Sequence, residues 1–164
     1  MGLFRIEPLD PALDRSAFSC GSVPLNRYFH SQVTQDIRRR VTACFVATTA
    51  EHKIAGYYTL ASSSVLINKL PSKLARKLPR YPLVPAIRMG RLAVDRGFRG
   101  LGLGAAMLAD ALMRAQQSEI AAYALVADAK DKNAAAFYRH HGFQNLDEKD
   151  LTLFLPLASI PARP

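Results

Sequence analysis

The run Arg91-Leu-Ala-Val-Asp-Arg-Gly-Phe-Arg99-Gly-Leu-Gly-Leu-Gly104 passes from a short apolar stretch into a glycine-rich turn and then into a helical pattern. With no Cβ atom at Gly100, Gly102 or Gly104, an anion can approach the main-chain N–H groups closely, and the positive end of the following helix adds to the attraction. The chemistry on offer is the binding of a pyrophosphate, and such a turn suits nucleotides, dinucleotides and coenzyme A alike. Two of these guests have further requirements. A dinucleotide fingerprint needs Gly-x-Gly-x-x-Gly with an acid about twenty residues on, and a triphosphate loop needs Gly-Lys-Ser or Gly-Lys-Thr. Neither stands in this chain. What stands is Arg99-x-x-Gly102-x-Gly104 and, after an apolar stretch, Asn133-Ala-Ala-Ala-Phe137-Tyr138-Arg-His-His-Gly142-Phe143.

These residues need elements to carry them. Phe4 to Leu9 reads as a short strand, and Ser22 or Gly21 as the cap of a helix whose apolar stripe is Leu25, Tyr28, Phe29, Val33 and Ile37. Val41 to Thr48 and Ile54 to Ser62, separated by a polar turn, predict a hairpin. Asn68 to Pro85, with four prolines and five cations, predicts a long loop holding a helix fragment around Ser72 to Lys77. Ile87 to Val94 then predicts a strand, Ala105 to Gln116 a helix, and Ile120 to Ala127 a strand. Asn133 to His141 predicts a helix stopped by Gly142, Leu151 to Leu155 a last strand, and Pro156 to Pro164 a frayed tail. The order β α β β β α β α β, with a partly antiparallel sheet, is not the even alternation of a doubly wound fold.

Composition bounds the class. A chain of 164 residues, 49% hydrophobic and 21% charged, is expected to form one domain over 1–164 with one core, and global disorder is excluded. No run of apolar residues is long enough to span a membrane, and the N-terminal residues lack signal-peptide and myristoylation features, so a cytoplasmic location is expected. Cys20 and Cys44 lack metal-ligand or redox spacing; they read as buried thiols, and no metal is expected. The charge is more telling: 22 Lys and Arg against 13 Asp and Glu give a net +9. Lys69, Lys73, Arg76, Lys77, Arg80, Arg88, Arg91, Arg96 and Arg99 face one acid, Asp95, and a second cluster is Arg38-Arg39-Arg40.

The glycine turn, preceded by Leu92-Ala93-Val94, resembles motif A of the GNAT acetyltransferases. The run from Asn133 to Phe143 resembles their motif B, N-x-x-A-x-x-F-Y-x-x-x-G-F. Two motifs in the right order imply a GNAT acyl-CoA N-acyltransferase fold of the α/β (α+β) class: a mixed central sheet with splayed parallel strands, flanked by helices. The resemblance implies acetyl-CoA as co-substrate, held by the main chain of Leu92, Ala93 and Val94, by the turn Arg99, Gly100, Leu101, Gly102, Leu103 and Gly104, and by Asn133. It also implies that Tyr138 is catalytic, its phenol serving the thiolate that leaves when an amine attacks the thioester. His30, His52, His140 and His141 give no convincing general base. An α-amine, with a pKa of about 7.7 to 8.0 in peptides, needs little help.

A narrower resemblance runs through Phe18-x-Cys20-Gly21, Leu25-Asn26-x-Tyr28, Gly56-Tyr57-Tyr58-Thr59-Leu60, Leu78-Pro79-Arg80-Tyr81-Pro82-x-Val84-Pro85 and Gly90 to Asp95. This pattern is similar to the GNAT toxins of bacterial toxin-antitoxin modules. It implies acetylation of the α-amino group of aminoacyl-tRNA, which blocks translation. It also implies a ribbon-helix-helix antitoxin as partner, operator DNA reached only through the complex with that antitoxin, and a homodimer. The charge suits an RNA partner independently, since cations aimed at phosphates dominate such binding. Candidate tRNA contacts are Arg38, Arg39, Arg40, Lys73, Arg76, Lys77, Arg80, Arg88 and Arg91. Two alternatives share the coenzyme residues: a GNAT enzyme acting on a small-molecule or protein amine, and a non-catalytic module that senses acetyl-CoA or is tethered to DNA.

Overall fold

The computed structural model describes residues 3–147 and 151–161. They fall into two compact units, one running up to Ala61 and including Arg91–Ala111, the other made of Ser62–Gly90 and the residues from Leu112 onward. Seven strands are hydrogen-bonded in the order β1-β2-β3-β4-β5-β7-β6: β1 (Arg5–Pro8), β2 (Ala43–Thr48), β3 (Ile54–Leu66), β4 (Leu83–Val94), β5 (Ala124–Asp128), β6 (Gln144–Asp147) and β7 (Thr152–Pro156). Both β3 and β4 run from one unit into the other. The sheet is mixed, as the family resemblance implies, because β4 and β5 are parallel while β1 with β2, β2 with β3, β5 with β7, and β6 with β7 are antiparallel.

In the first unit the predicted hairpin forms with Phe45 opposite Tyr58 and Val46 opposite Tyr57. Val46 and Tyr57 join Phe18, Phe29, Val33 and Ala93 in one core cluster, where Phe29 and Tyr57 stack with ring centroids 4.2 Å apart. The predicted helix is two helices, α1 (Val23–Ser31) and α2 (Val33–Arg38), divided at Gln32. Ser31 Oγ donates to the Arg27 carbonyl at 2.8 Å just before the division, a back-bond of a kind that often bends helices, and Phe29 and Val33 on either side are both fully buried. Ser22 is the cap, its side chain accepting from the Leu25 N–H.

The second unit holds α3 (Ser72–Ala75), the parallel pair β4 and β5, α5 (Lys132–His140), and the antiparallel β7 and β6. Its core cluster includes Val65, Leu70, Val84, Ala86, Val126 and Phe154. The helix between, α4 (Leu103–Gln117), begins in the first unit and ends in the second. The strand expected from Ile120 starts only at Ala124, and Ile120 itself is exposed. β6, which the sequence pattern does not reveal, is the polar run Gln144-Asn-Leu-Asp147. The expected fraying at Pro156 does not occur: Leu157 is buried and donates its N–H to the Tyr123 carbonyl at 2.9 Å. Residues 162–164 lie outside the described residues.

One glycine in the first unit is set by close approach. A Cβ at Gly56 on β3 would stand 2.9 Å from the Ala93 carbonyl oxygen of β4 and 2.7 Å from the Met107 Cε of α4. The Met side chain can move, but the strand cannot. Gly56→Ala is therefore expected to destabilise the protein by about 1–3 kcal/mol, the usual cost of overpacking, as a fall in the urea midpoint at unchanged m-value.

Candidate active site

In the first unit, β4 leads into the glycine turn through a hinge made by Asp95. Its carboxylate accepts from the Gly97 N–H and from the Ser19 N–H, each at 2.9 Å, and so caps a 3₁₀ turn over Arg96–Phe98. Its role is structural rather than that of a loose counter-ion. Arg99 follows, and its guanidinium donates to the Cys20 carbonyl at 2.6 Å. Gly21, at φ +89°, leaves room for this contact, because a Cβ there would lie 2.9 Å from the Arg99 Nη2. The Phe18-x-Cys20-Gly21 motif is thus a brace for the turn.

Gly100 and Gly102 adopt φ values of +78° and +75°, which only glycine takes without strain. A Cβ at either position would meet nothing within 4 Å, so the glycines also leave open space above the turn. α4 begins at Leu103, and its first helical bond is from the Ala106 N–H to the Gly102 carbonyl at 3.1 Å. Among the described residues nothing accepts from the N–H groups of Leu103, Gly104 or Ala105. A cradle of unspent donors at the positive end of a four-turn helix is a site for a phosphate group. Leu101 is exposed on the turn, while Leu103 is buried and fastens the helix start.

Leu92, Ala93 and Val94 lie at the end of β4, with Ala93 buried and its neighbours half-buried. The parallel ladder runs from Ala86 opposite Ala124 to Met89 opposite Ala127, whereas β4 itself continues to Val94. The β5 side of that strand is therefore left without ladder partners beyond Met89. The ladder stops there because β5 itself ends at Asp128.

In the second unit, α5 carries both Asn133 and Tyr138. Asp131 caps it, accepting from the Ala134 N–H at 2.8 Å, and Asn133 stands exposed in the first turn. The helix stops in a Schellman arrangement at Gly142, whose φ is +94°. The Gly142 N–H donates to the Arg139 carbonyl at 3.0 Å and the Phe143 N–H to the Tyr138 carbonyl at 3.1 Å. The apolar contact that accompanies this motif is the ring of Phe143 against the ring of Tyr138, centroids 5.4 Å apart. The spacing Tyr-x-x-x-Gly-Phe is thus a device that fixes the tyrosine.

Tyr138 is 3% exposed. Three other buried tyrosines have hydroxyl partners: Tyr57 donates to the Leu25 carbonyl, Tyr28 to Asp36 and Tyr58 to Asp110. The Tyr138 hydroxyl has no partner among the described residues. Burial first, and then the charge of Asp128, hold its pKa well above the usual phenol range. Such a phenol stays protonated at any physiological pH. In the resting protein it is a donor.

The candidate tRNA contacts divide. Arg88 forms an ion pair with Asp128 and donates to Ser63 Oγ, and Arg91 lies over the Tyr28 ring with its guanidinium carbon 3.4 Å from the centroid. Arg38, Arg39 and Arg40 close α2 in the first unit, and Lys73, Arg76, Lys77 and Arg80 line the loop of the second; all seven are exposed. None of the seven has an acidic partner among the described residues. Sequence reasoning missed Asp128, whose position at the end of β5 carries no motif, and the brace at Gly21.

Residues 41–145 match the acetyltransferase (GNAT) domain family, and the chain belongs to that family. Among its relatives is a tRNA-acetylating toxin of Mycobacterium tuberculosis, 34% identical over 149 residues that cover 90% of this chain and 88% of the relative. The structure of AtaT complexed with acetyl-methionyl-tRNAfMet superposes with a TM-score of 0.88 at 29% identity, covering 95% of this chain and 96% of that one. A tyrosine-to-phenylalanine mutant of AtaT, bound to acetyl-CoA and the C-terminus of the antitoxin AtaR, matches with a TM-score of 0.80 at 26% identity over 96% of both chains.

The turn yields a direct expectation. Gly102→Ala should cost about 1–2 kcal/mol of stability from the left-handed backbone alone, and should also raise the KM for acetyl-CoA by filling the open space, as read from steady-state kinetics of the folded variant.

Proposed function

We propose that this chain works as one catalytic domain that transfers the acetyl group of acetyl-CoA to the α-amino group of aminoacyl-tRNA, and so acts as a toxin that blocks translation. The observation that carries the acceptor is the likeness to a tRNA-acetylating toxin over nine tenths of the chain. The charge supports it: seven exposed cations lack acidic partners among the described residues, in a protein of net charge +9. Arg88 and Arg91, whose guanidinium groups are engaged within the protein, leave the set of proposed RNA contacts.

The coenzyme fits the residues present. The N–H groups at the start of α4 and the open space over Gly100 and Gly102 would receive its pyrophosphate, and the ladder-free edge of Leu92, Ala93 and Val94 would receive the amide groups of its pantetheine arm; Asn133 is the further contact that the family resemblance implies. Bound there, acetyl-CoA supplies an activated acyl carbon. The neutral α-amine attacks that carbon, a C–N bond forms, and the C–S bond breaks. Tyr138 gives its phenolic proton to the sulfur as negative charge develops, and regains a proton from the amine nitrogen. Further parts of the proposal are a ribbon-helix-helix antitoxin that silences the enzyme, operator DNA reached only in that complex, and a homodimer.

Incubation with labelled acetyl-CoA and charged tRNA should yield acetylated aminoacyl-adenosine after nuclease digestion; no such product from any charged tRNA would overturn the proposal in favour of another amine. Tyr138→Phe should lower kcat by about a hundredfold or more while acetyl-CoA binding, measured by calorimetry, is retained. Reversal of Arg76, Lys77 and Arg80 to Glu should raise the KM for tRNA and reduce the salt slope by roughly three, about one for each phosphate no longer neutralised.

A further inference from the structure

The second unit has a cavity of about 300 Å³ whose chemistry differs from that of its surroundings. It is lined by Leu78, Pro79, Tyr81, Leu83, Val84, Pro85 and Tyr123, so aliphatic and aromatic side chains only. It is open rather than sealed, since Tyr81 is 69% and Leu83 52% exposed. Two backbone bonds hold its frame: Tyr81 N–H to the Pro79 carbonyl, and Tyr123 N–H to the Pro85 carbonyl, both at 2.8 Å. The prolines on either side limit the loop's freedom. The same loop carries Lys73, Arg76, Lys77 and Arg80, all exposed and without acidic partners among the described residues.

An apolar hollow with an exposed tyrosine, flanked by exposed cations, matches the chemistry of single-stranded nucleic acid. The cations meet phosphates, and the aromatic and aliphatic walls take the flat face of a base that has left its stack. A protein partner of the usual kind would bring hydrophobic side chains, and it would also have to be acidic to suit the loop. We infer that this pocket receives an unpaired nucleobase of the RNA acceptor, stacked on Tyr81 and Tyr123, while the neighbouring cations hold its backbone. This rests on charged tRNA being the acceptor. It adds a contact that reads a base face, where the cations read only charge.

Stacking and charge separate cleanly by experiment. Tyr81→Ala, at an exposed position, should raise the KM for charged tRNA roughly tenfold or more, as expected when one stacked base is given up, with kcat and the salt slope unchanged. Tyr81→Phe should restore the KM, because the ring and not the hydroxyl stacks, and Leu83→Glu should raise it by placing an anion in the hollow. Wild-type enzyme that acetylates charged tRNA while Tyr81→Ala and Leu83→Glu keep its KM overturns the pocket alone. Wild-type enzyme that acetylates no charged tRNA overturns the acceptor, and the pocket with it. If Tyr81→Ala instead changes the sedimentation mass of the protein, the hollow belongs to a second copy of the chain and the inference is wrong.

Discussion

The unequal length of two parallel strands governs the rest of this molecule: β5 ends at Asp128, whereas β4 runs on to Val94. Parallel strands ordinarily pair along their shared length, because an unpartnered N–H or C=O in a sheet interior is costly. Here β4 outruns its ladder with β5 beyond Met89, and the chain arranges for the exposed edge in several ways. On the far side of β4, Gly56 lets β3 approach to the limit that backbone atoms allow, and the Asp95 N–H closes onto the Ala55 carbonyl at 2.8 Å. β4 is thereby held firmly from one side while the other stays available. A strand gripped from both sides could not offer main-chain groups to a substrate.

The chemistry proposed for Tyr138 follows from helix termination as much as from the tyrosine itself. Gly142 supplies the left-handed residue that ends α5, and Phe143 folds back to donate to the Tyr138 carbonyl and to pack on its ring. Backbone and side chain of Tyr138 are thus fixed by the same two residues. Placing a reactive group in the last turn of a helix would normally leave it free to fray. The Schellman closure removes that freedom, which gives a physical reason for the motif to extend to glycine and phenylalanine.

Much of this was legible in the sequence, and the parts that were not share a cause. The glycine turn, the helix after it, the hairpin and the Asn133 to Phe143 helix all announce themselves through local signals: glycine at left-handed positions, β-branched and aromatic runs, a cap and a stop. The division at Gln32 was hidden because the stripe from Leu25 to Ile37 keeps helical spacing across it. β6 was hidden because Gln144-Asn-Leu-Asp147 reads as polar turn, being a strand at the sheet's edge. Charge was legible as a count and illegible as an assignment. Nothing in the spacing of Arg88 and Arg91 reveals that Asp128 and Tyr28, far away in sequence, take up their guanidinium groups.

The unspent hydroxyl of Tyr138 has an energetic consequence for the proposed reaction. A buried phenol that already had a protein acceptor would have to break that bond before helping a leaving group, and the barrier would carry the cost. Among the described residues Tyr138 has no such acceptor. A neutral thioester sulfur is a weak acceptor, so exchanging water for it gains little in the ground state; a thiolate is a strong one. The interaction therefore grows as the C–S bond lengthens, and the stabilisation is concentrated at the transition state instead of being spread over the bound substrate. A donor without a partner in a protein interior is ordinarily a defect; in the proposed reaction it would become selectivity for the transition state over the substrate.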